Sequence, residues 1–221
     1  MKRTVLSLLA ALLMALGVAF AQAPKAATYI TDEEVKTVNG QPGVDRTIRV
    51  VDIGNEHFAI GVIHRAGTGG GAAAGAARGG TNPPAGGGAG RGAAAPAERC
   101  GEQASTQPAG STPGGISHDF QTEGYFITSG GGTLVTGGRI VNGTKSAADA
   151  PVTKELNGPT CSGIIAGTDV VKRVVKTGDI IIIPAGVPHG WTDITDHVDY
   201  LSFRPSGHVL EAGYVHPSIR K

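Results

Sequence analysis

Residues 178–191 read GDIIIIPAGVPHGW. Four isoleucines run into Pro-Ala-Gly-Val-Pro, and a histidine, a glycine and the only tryptophan of the chain follow. The isoleucine run has the length and β-branching of a strand. It is apolar on both faces, so it is expected to lie centrally in a sheet, covered on both sides. Pro184 suits the second position of a tight turn, with Gly186 relieving strain near its end. Pro188 fixes its own φ just before His189. Strand alternation then puts His189, Trp191 and Asp193 on one face. The segment aims one imidazole stiffly, beside an indole and a carboxylate.

Short strands of similar texture recur on both sides. Thr47 to Ile53 and Phe58 to Arg65 come first, and period two places Phe58, Ile60, Val62 and His64 on one face, read as the inward one. Gly124 to Thr128 and Thr133 to Thr136 flank Ser129-Gly130-Gly131-Gly132, a hairpin signal. Arg139 to Val141, Ser162 to Ala166, Val170 to Val175, Gly190 to Asp193 and Val198 to Arg204 complete the set. Many short strands with Gly/Pro turns and no long helical period predict an all-β sandwich or barrel.

The chain has 221 residues and a formal net charge of +1, too small a charge to favour nucleic acid or an acidic membrane surface. Lys2 and Arg3, the apolar run Val5 to Phe20 and small residues around Ala21 have the form of a secretory leader, residues 1–21, cleaved after Ala21. The mature protein is then exported, periplasmic or extracellular, with no stable membrane association. Residues 22–47 form an N-terminal arm. Within it Thr31-Asp32-Glu33-Glu34 has the form of a capping box, predicting a short helix to about Val38.

Residues 48–221 form a single domain, interrupted by a low-complexity insertion over 66–115. Between Ala66 and Ala97, 24 of 32 residues are Gly or Ala, too little apolar bulk to offset the entropy of ordering. Cys100 and Cys161 are an even pair in a chain read as exported, which predicts a disulfide.

The chemistry gathers at two places. In SHDFQTEGYFITSG, residues 117–130, a strand bent near Gln121-Thr122 aims both His118 and Glu123 inward. With His189 they make two imidazoles and a carboxylate, a donor set that holds a divalent metal with open positions. Tyr125, Trp191 and Arg204 are read as pocket lining. His64, on the predicted inward face, is a candidate fourth ligand.

These residues resemble the cupin superfamily, small jelly-roll barrels with two metal-binding motifs. Residues 178–193 match the second motif, G(x)5PxG(x)2H(x)3N, at every position but the last, where Asp193 stands for Asn. His118, Glu123 and Gly130 match the second His, the Glu and the final Gly of the first motif, G(x)5HxH(x)3,4E(x)6G. Its first His falls at Ile116. In the alternative register His118 is the first His, and Phe120 replaces the second. The resemblance covers residues 115–205 and implies a jelly-roll β-barrel whose metal ligands are His118, Glu123 and His189.

Metal taken up outside the cytoplasm favours zinc or copper by intrinsic affinity, with iron, manganese or nickel as alternatives. The expected partner is a small organic ligand in the barrel. Metal-dependent isomerase, lyase or oxygenase chemistry is one reading, and a non-catalytic binding module with a degenerate metal site is the other. Pairing into a homodimer is implied by the resemblance alone.

Overall fold

The computed structural model describes residues 26–68 and 97–220. The expected leader and most of the Gly/Ala-rich stretch lie outside these residues. The arm helix α1, Asp32–Asn39, starts where the capping box predicts. The Glu34 amide donates to Thr31 Oγ1, and the Thr31 amide donates to Glu34 Oε2.

Eleven antiparallel strands follow: β1 Asp45–Asp52, β2 His57–Ala66, β3 Arg99–Cys100, β4 Thr112–His118, β5 Glu123–Thr136, β6 Arg139–Lys145, β7 Thr160–Ala166, β8 Val171–Lys176, β9 Ile180–Ile183, β10 His189–Thr192 and β11 His197–Pro205. They form two layers. One runs β1-β2-β11-β5-β9 and the other β3-β6-β7-β4-β10-β5-β8. The architecture is all-β, the jelly roll that the motifs imply. Ile63, Ile127, Leu134, Val198 and Tyr200 fill the space between the layers. Burying an aliphatic side chain of this size contributes about 1.5–3 kcal/mol.

β5 belongs to both layers, which corrects the expected hairpin at Ser129–Gly132. The chain does not reverse there. Its first half pairs with β9 and β11, and its second half with β8 and β10. The crossing is at Gly130, which has φ of 68° and lies two residues after Thr128, where the register against β11 shifts. A Cβ at this position would lie 2.0 Å from the His197 carbonyl oxygen, so glycine is required.

The isoleucine strand β9 is not central. It pairs only with β5, and Ile180 and Ile182 are each 73% exposed, while Ile183 is buried. The expected insertion is also shorter on its C-terminal side. Residues 97–115 include β3 and the start of β4, and Cys100 on β3 is bonded to Cys161 on β7. Ala104 exchanges two hydrogen bonds with the Asn142 side chain, which anchors the same stretch. These covalent and polar ties supply what the composition of 97–115 lacks.

Candidate metal centre

His118 ends β4, Glu123 opens β5 and His189 opens β10. β10 lies between β4 and β5, with His189 opposite Ile116 on one side and Thr136 on the other. The turn before it holds the pieces together. The Val187 amide donates to the Pro184 carbonyl, so Pro184 occupies the first turn position and not the second. Gly186, at φ of 80°, donates its amide to the His118 carbonyl at 2.7 Å. The proline-glycine turn therefore ties one imidazole segment directly to the other.

All three side chains are buried, and their ligand atoms lie within 4.8 Å of one another. His118 Nδ1 is 2.7 Å from the Asn157 carbonyl oxygen, and His189 Nδ1 is 3.0 Å from that of Val187. A carbonyl only accepts, so each Nδ1 carries the proton and each Nε2 of a neutral ring is a bare lone pair. Those two Nε2 atoms face Glu123, at 3.3 Å from Oε1 and 3.1 Å from Oε2. The rings stack with centroids 5.4 Å apart. Burial is the main cause that pushes the His118 pKa down, to about 4, outweighing the attraction of Glu123, so this ring is neutral at pH 7. Burial alone would raise the Glu123 pKa, but Arg204 and the two histidines hold it well below the usual carboxylate range. A carboxylate and two lone pairs converge on one point, an arrangement that calls for a cation.

Arg204 is the fixed positive group. Its Nη2 is 2.7 Å from Glu123 Oε1, yet the contact is misaligned for a hydrogen bond and leaves Oε1 without a directed donor. Nε donates to Ser202, and Nη1 donates to the Leu156 carbonyl and the Asn157 side chain. Tyr125 donates its hydroxyl to Glu123 Oε2. Burial first, and Glu123 second, hold that phenol pKa well above its ordinary value, so it stays a donor.

Tyr125, Trp191 and Arg204 all line the small cavity beside these groups. Its free space is about 40 Å³, enough for an ion and roughly one water. Trp191 stacks on Tyr200, and its indole nitrogen is buried without a partner.

Two expected members are elsewhere. His64 does not reach the centre. Its side chain is 47% exposed, and its Nδ1 is 2.6 Å from Asp199 on the outer face. The barrel-facing neighbour is Arg65, which lines the cavity and donates to the Tyr200 hydroxyl. Asp193 leaves the strand at φ of 51° and accepts from Thr192 in solvent, so it does not share the His189 face. The sequence reading missed Arg65 and Asn157. For Arg65, the opposite phase of period two along β2 was the available signal.

No protein-family model matches the sequence, and no match is found among curated proteins. Solved structures of similar outline exist. An uncharacterised conserved protein with a double-stranded beta-helix domain from Klebsiella pneumoniae is 15% identical, with a TM-score of 0.33, covering 84% of this chain and 94% of that one. The DMSP lyase DddQ from Ruegeria pomeroyi is 11% identical, with a TM-score of 0.33, covering 100% of this chain and 96% of its own. A recombinant oxalate oxidase in complex with glycolate is 13% identical, with a TM-score of 0.32, covering 89% of this chain and 65% of that one. The likeness is one of outline. What the site can do is read from its own side chains.

Proposed function

We propose that this cupin-fold protein holds one divalent metal ion through His118, Glu123 and His189, and binds a small organic anion at that ion. The observation that carries the reading is the convergence of two bare Nε2 atoms and a carboxylate in a buried site. Neutral imidazole and carboxylate are ligands for zinc, copper, iron, manganese or nickel, and the intrinsic affinity order favours copper or zinc. A bound ion of this kind polarises a ligand oxygen as a Lewis acid, which serves isomerase and lyase reactions and, with iron or copper, oxygenase reactions.

The chain's own groups define what the ligand must be. Glu123 and Arg204 cancel in charge, so the ion brings uncompensated positive charge into a buried site, and an anionic ligand offsets it. The cavity admits only one small donor group such as a carboxylate, with the rest of the ligand toward Trp191. Tyr125 is placed to orient Glu123, and Arg204 to hold a second anionic oxygen. The disulfide fits a non-cytoplasmic compartment, in keeping with export of the mature protein. Among the described residues no helix is long and apolar enough to cross a membrane.

The test is elemental analysis of the purified protein beside His118→Ala and His189→Ala. Near-stoichiometric metal in the wild type, lost from both variants, is the expected result. A wild type that stays metal-free after exposure to zinc, copper, iron and manganese overturns it. That outcome supports a second reading, a metal-free binding module, which is favoured by Arg204 already lying 2.7 Å from the same carboxylate oxygen.

A further inference from the structure

The metal centre leaves a second cluster of histidine and carboxylate groups unused. It lies where β5 passes from one layer to the other, beside the start of β11. Ser129 on β5 pairs with Asp199 on β11, and Asp199 pairs in turn with His64 on β2. His197 opens β11, and Asp196 directly precedes it. None of these five residues lines the cavity of the metal centre. Their contacts run in one direction. Asp196 Oδ2 is 2.7 Å from His197 Nδ1, and His197 Nε2 is 2.7 Å from Ser129 Oγ. A carboxylate only accepts, so Nδ1 of the neutral ring carries the proton and Nε2 is a lone pair. The Ser129 hydroxyl therefore donates to Nε2. The reverse polarity would set a bare Nδ1 against a carboxylate oxygen, two acceptors in contact. A hydroxyl that can lose a proton, a base that can take it and a group that orients the base thus stand in series.

Backbone packing holds the series in place. Gly130 follows Ser129, and a Cβ on it would lie 2.0 Å from the His197 carbonyl oxygen. Glycine there lets the serine and histidine segments meet. Thr177 donates both its amide and its hydroxyl to the Gly130 carbonyl and fixes the serine side. Asp199 brings a second carboxylate. Its Oδ2 is 3.9 Å from His197 Nε2, and its Oδ1 is 2.6 Å from His64 Nδ1. The His64 ring stacks on that of His197, with centroids 6.0 Å apart. Negative charge near both ring nitrogens of His197 favours the imidazolium that forms when the ring takes a proton.

We propose that Ser129, His197 and Asp196 form an acyl-transfer site that hydrolyses small carboxylic esters, with Ser129 as the nucleophile. Ser129 Oγ attacks the ester carbonyl carbon, and its proton passes to His197 Nε2. The carbon–oxygen bond to the alcohol breaks, the alcohol leaves with that proton, and the acyl group stays on Oγ. Water then gives a proton to Nε2 and attacks the acyl carbon. The bond from Oγ to the acyl group breaks, Oγ recovers the proton, and the carboxylic acid departs. The site is open, with the His197 side chain 30% exposed and that of Asp196 90%. An open site has no walls to select a long acyl chain. The recognised feature is the ester group itself, and activated esters of short acids react fastest. A carboxylate in water orients an imidazole less firmly than a buried one, so Asp196 contributes less than His197.

The experiment treats the purified product of the full coding sequence with chelator and then with a fluorophosphonate probe. The labelled peptide is mapped by mass spectrometry. Hydrolysis of p-nitrophenyl acetate is followed in parallel for wild type, Ser129→Ala, His197→Gln and Asp196→Asn, with circular dichroism as the check on folding. The expected label is on Ser129. Hydrolysis is expected to fall ~10-fold or more in Ser129→Ala and His197→Gln, and by less in Asp196→Asn. Wild-type protein without label on Ser129 overturns the proposal, and that readout needs no variant to fold. Hydrolysis unchanged in Ser129→Ala also overturns it, as does labelling that is equally fast in His197→Gln. The chelator keeps metal-dependent hydrolysis out of the assay. Metal content is not a readout here, so failure leaves the proposed metal site standing.

Discussion

His189 Nε2 lies 3.1 Å from Glu123 Oε2 while its Nδ1 is held by the Val187 carbonyl. The ring is thereby fixed in the tautomer that offers a lone pair to the carboxylate side, before any ion arrives. A conservative change that keeps bulk but removes that nitrogen should act on metal and not on fold. His189→Leu is expected to fold and to lose at least tenfold in affinity for added zinc, measured by competition with a chromogenic chelator. Unchanged affinity would remove His189 from the ligand set.

The same geometry fixes how stability depends on pH. In the metal-free protein His118 has its pKa lowered from 6.5 to about 4, chiefly by burial. A lowered pKa means the folded state binds fewer protons than the unfolded chain. Its contribution is fully present above pH 6.5 and is lost as pH falls through 4, amounting to roughly 3 kcal/mol. Glu123 acts in the same sense at lower pH, since its pKa too is depressed. Urea unfolding of chelator-treated protein should show stability falling from pH 6.5 downward. In His118→Gln the fall between pH 6.5 and 4.5 should be shallower, leaving the smaller part that His216, whose pKa is also lowered by burial, contributes. Equal slopes in both proteins between pH 6.5 and 4.5 would contradict the buried neutral histidine.

How far the sequence showed this site depends on what fixes each residue. His189 was legible because Pro184, Gly186 and Pro188 restrict the backbone locally, and local restriction is written in residue type. His118 and Glu123 were legible from ligand type and spacing. The face of β2 was not, because both faces are apolar for different reasons. Ile60 and Val62 pack beneath α1, whereas Ile63 faces the barrel. Period two gives the alternation but not which phase is inside, so the alternation alone does not distinguish His64 from Arg65. The pairing of Arg204 with Glu123 joins residues far apart in the chain and was not encoded in either segment. At Gly130 the glycine run signalled a departure from regular strand, and only the pairing on each side shows a crossing and not a reversal.

That crossing can be tested. Gly130 has φ of 68°, and a side chain there would collide with the His197 carbonyl. Gly130→Ala should cost about 2 kcal/mol or more, through strain and displacement of β11. Gly110 has a similar φ of 71° but open space around it. Gly110→Ala should cost about 1 kcal/mol or less by the same backbone argument. Thermal melts of the two variants would settle the comparison, and equal losses would refute the steric account.

The bond from Cys100 to Cys161 closes a loop with a sequence separation of 61 residues. In the chain-entropy model such a closure stabilises by about 4 kcal/mol. It also staples β3 to the sheet, adding to the pairing of Arg99 and Cys100 with β6 and to the flanking backbone hydrogen bonds of Glu98 and Glu102. Reduction, or Cys100→Ser with Cys161→Ser, should lower Tm by several degrees. Protease sensitivity should appear around residues 97–111 while the metal site is retained. A melt indifferent to reductant would show that β3 is held by its other contacts.

Arg204 offers the sharpest division between the two readings of the site. Its guanidinium lies beside Glu123 Oε1, an oxygen that a metal would also use. Arg204→Gln leaves a buried carboxylate without its cation, which costs about 3–5 kcal/mol in metal-free protein. If the ion binds Glu123, part of that loss is recoverable. The arginine no longer draws on Oε1, and the metal supplies the missing charge. Saturating zinc should therefore raise the Tm of Arg204→Gln by more than that of the wild type. The affinity should rise by about tenfold, equivalent to ~1.4 kcal/mol. The measurement is a pair of melting curves for each protein, with and without zinc. An equal zinc shift in both would mean that the ion and the arginine do not share the carboxylate. No shift in either would place Glu123 with Arg204 alone, and the centre would be a polar pocket and not a metal site.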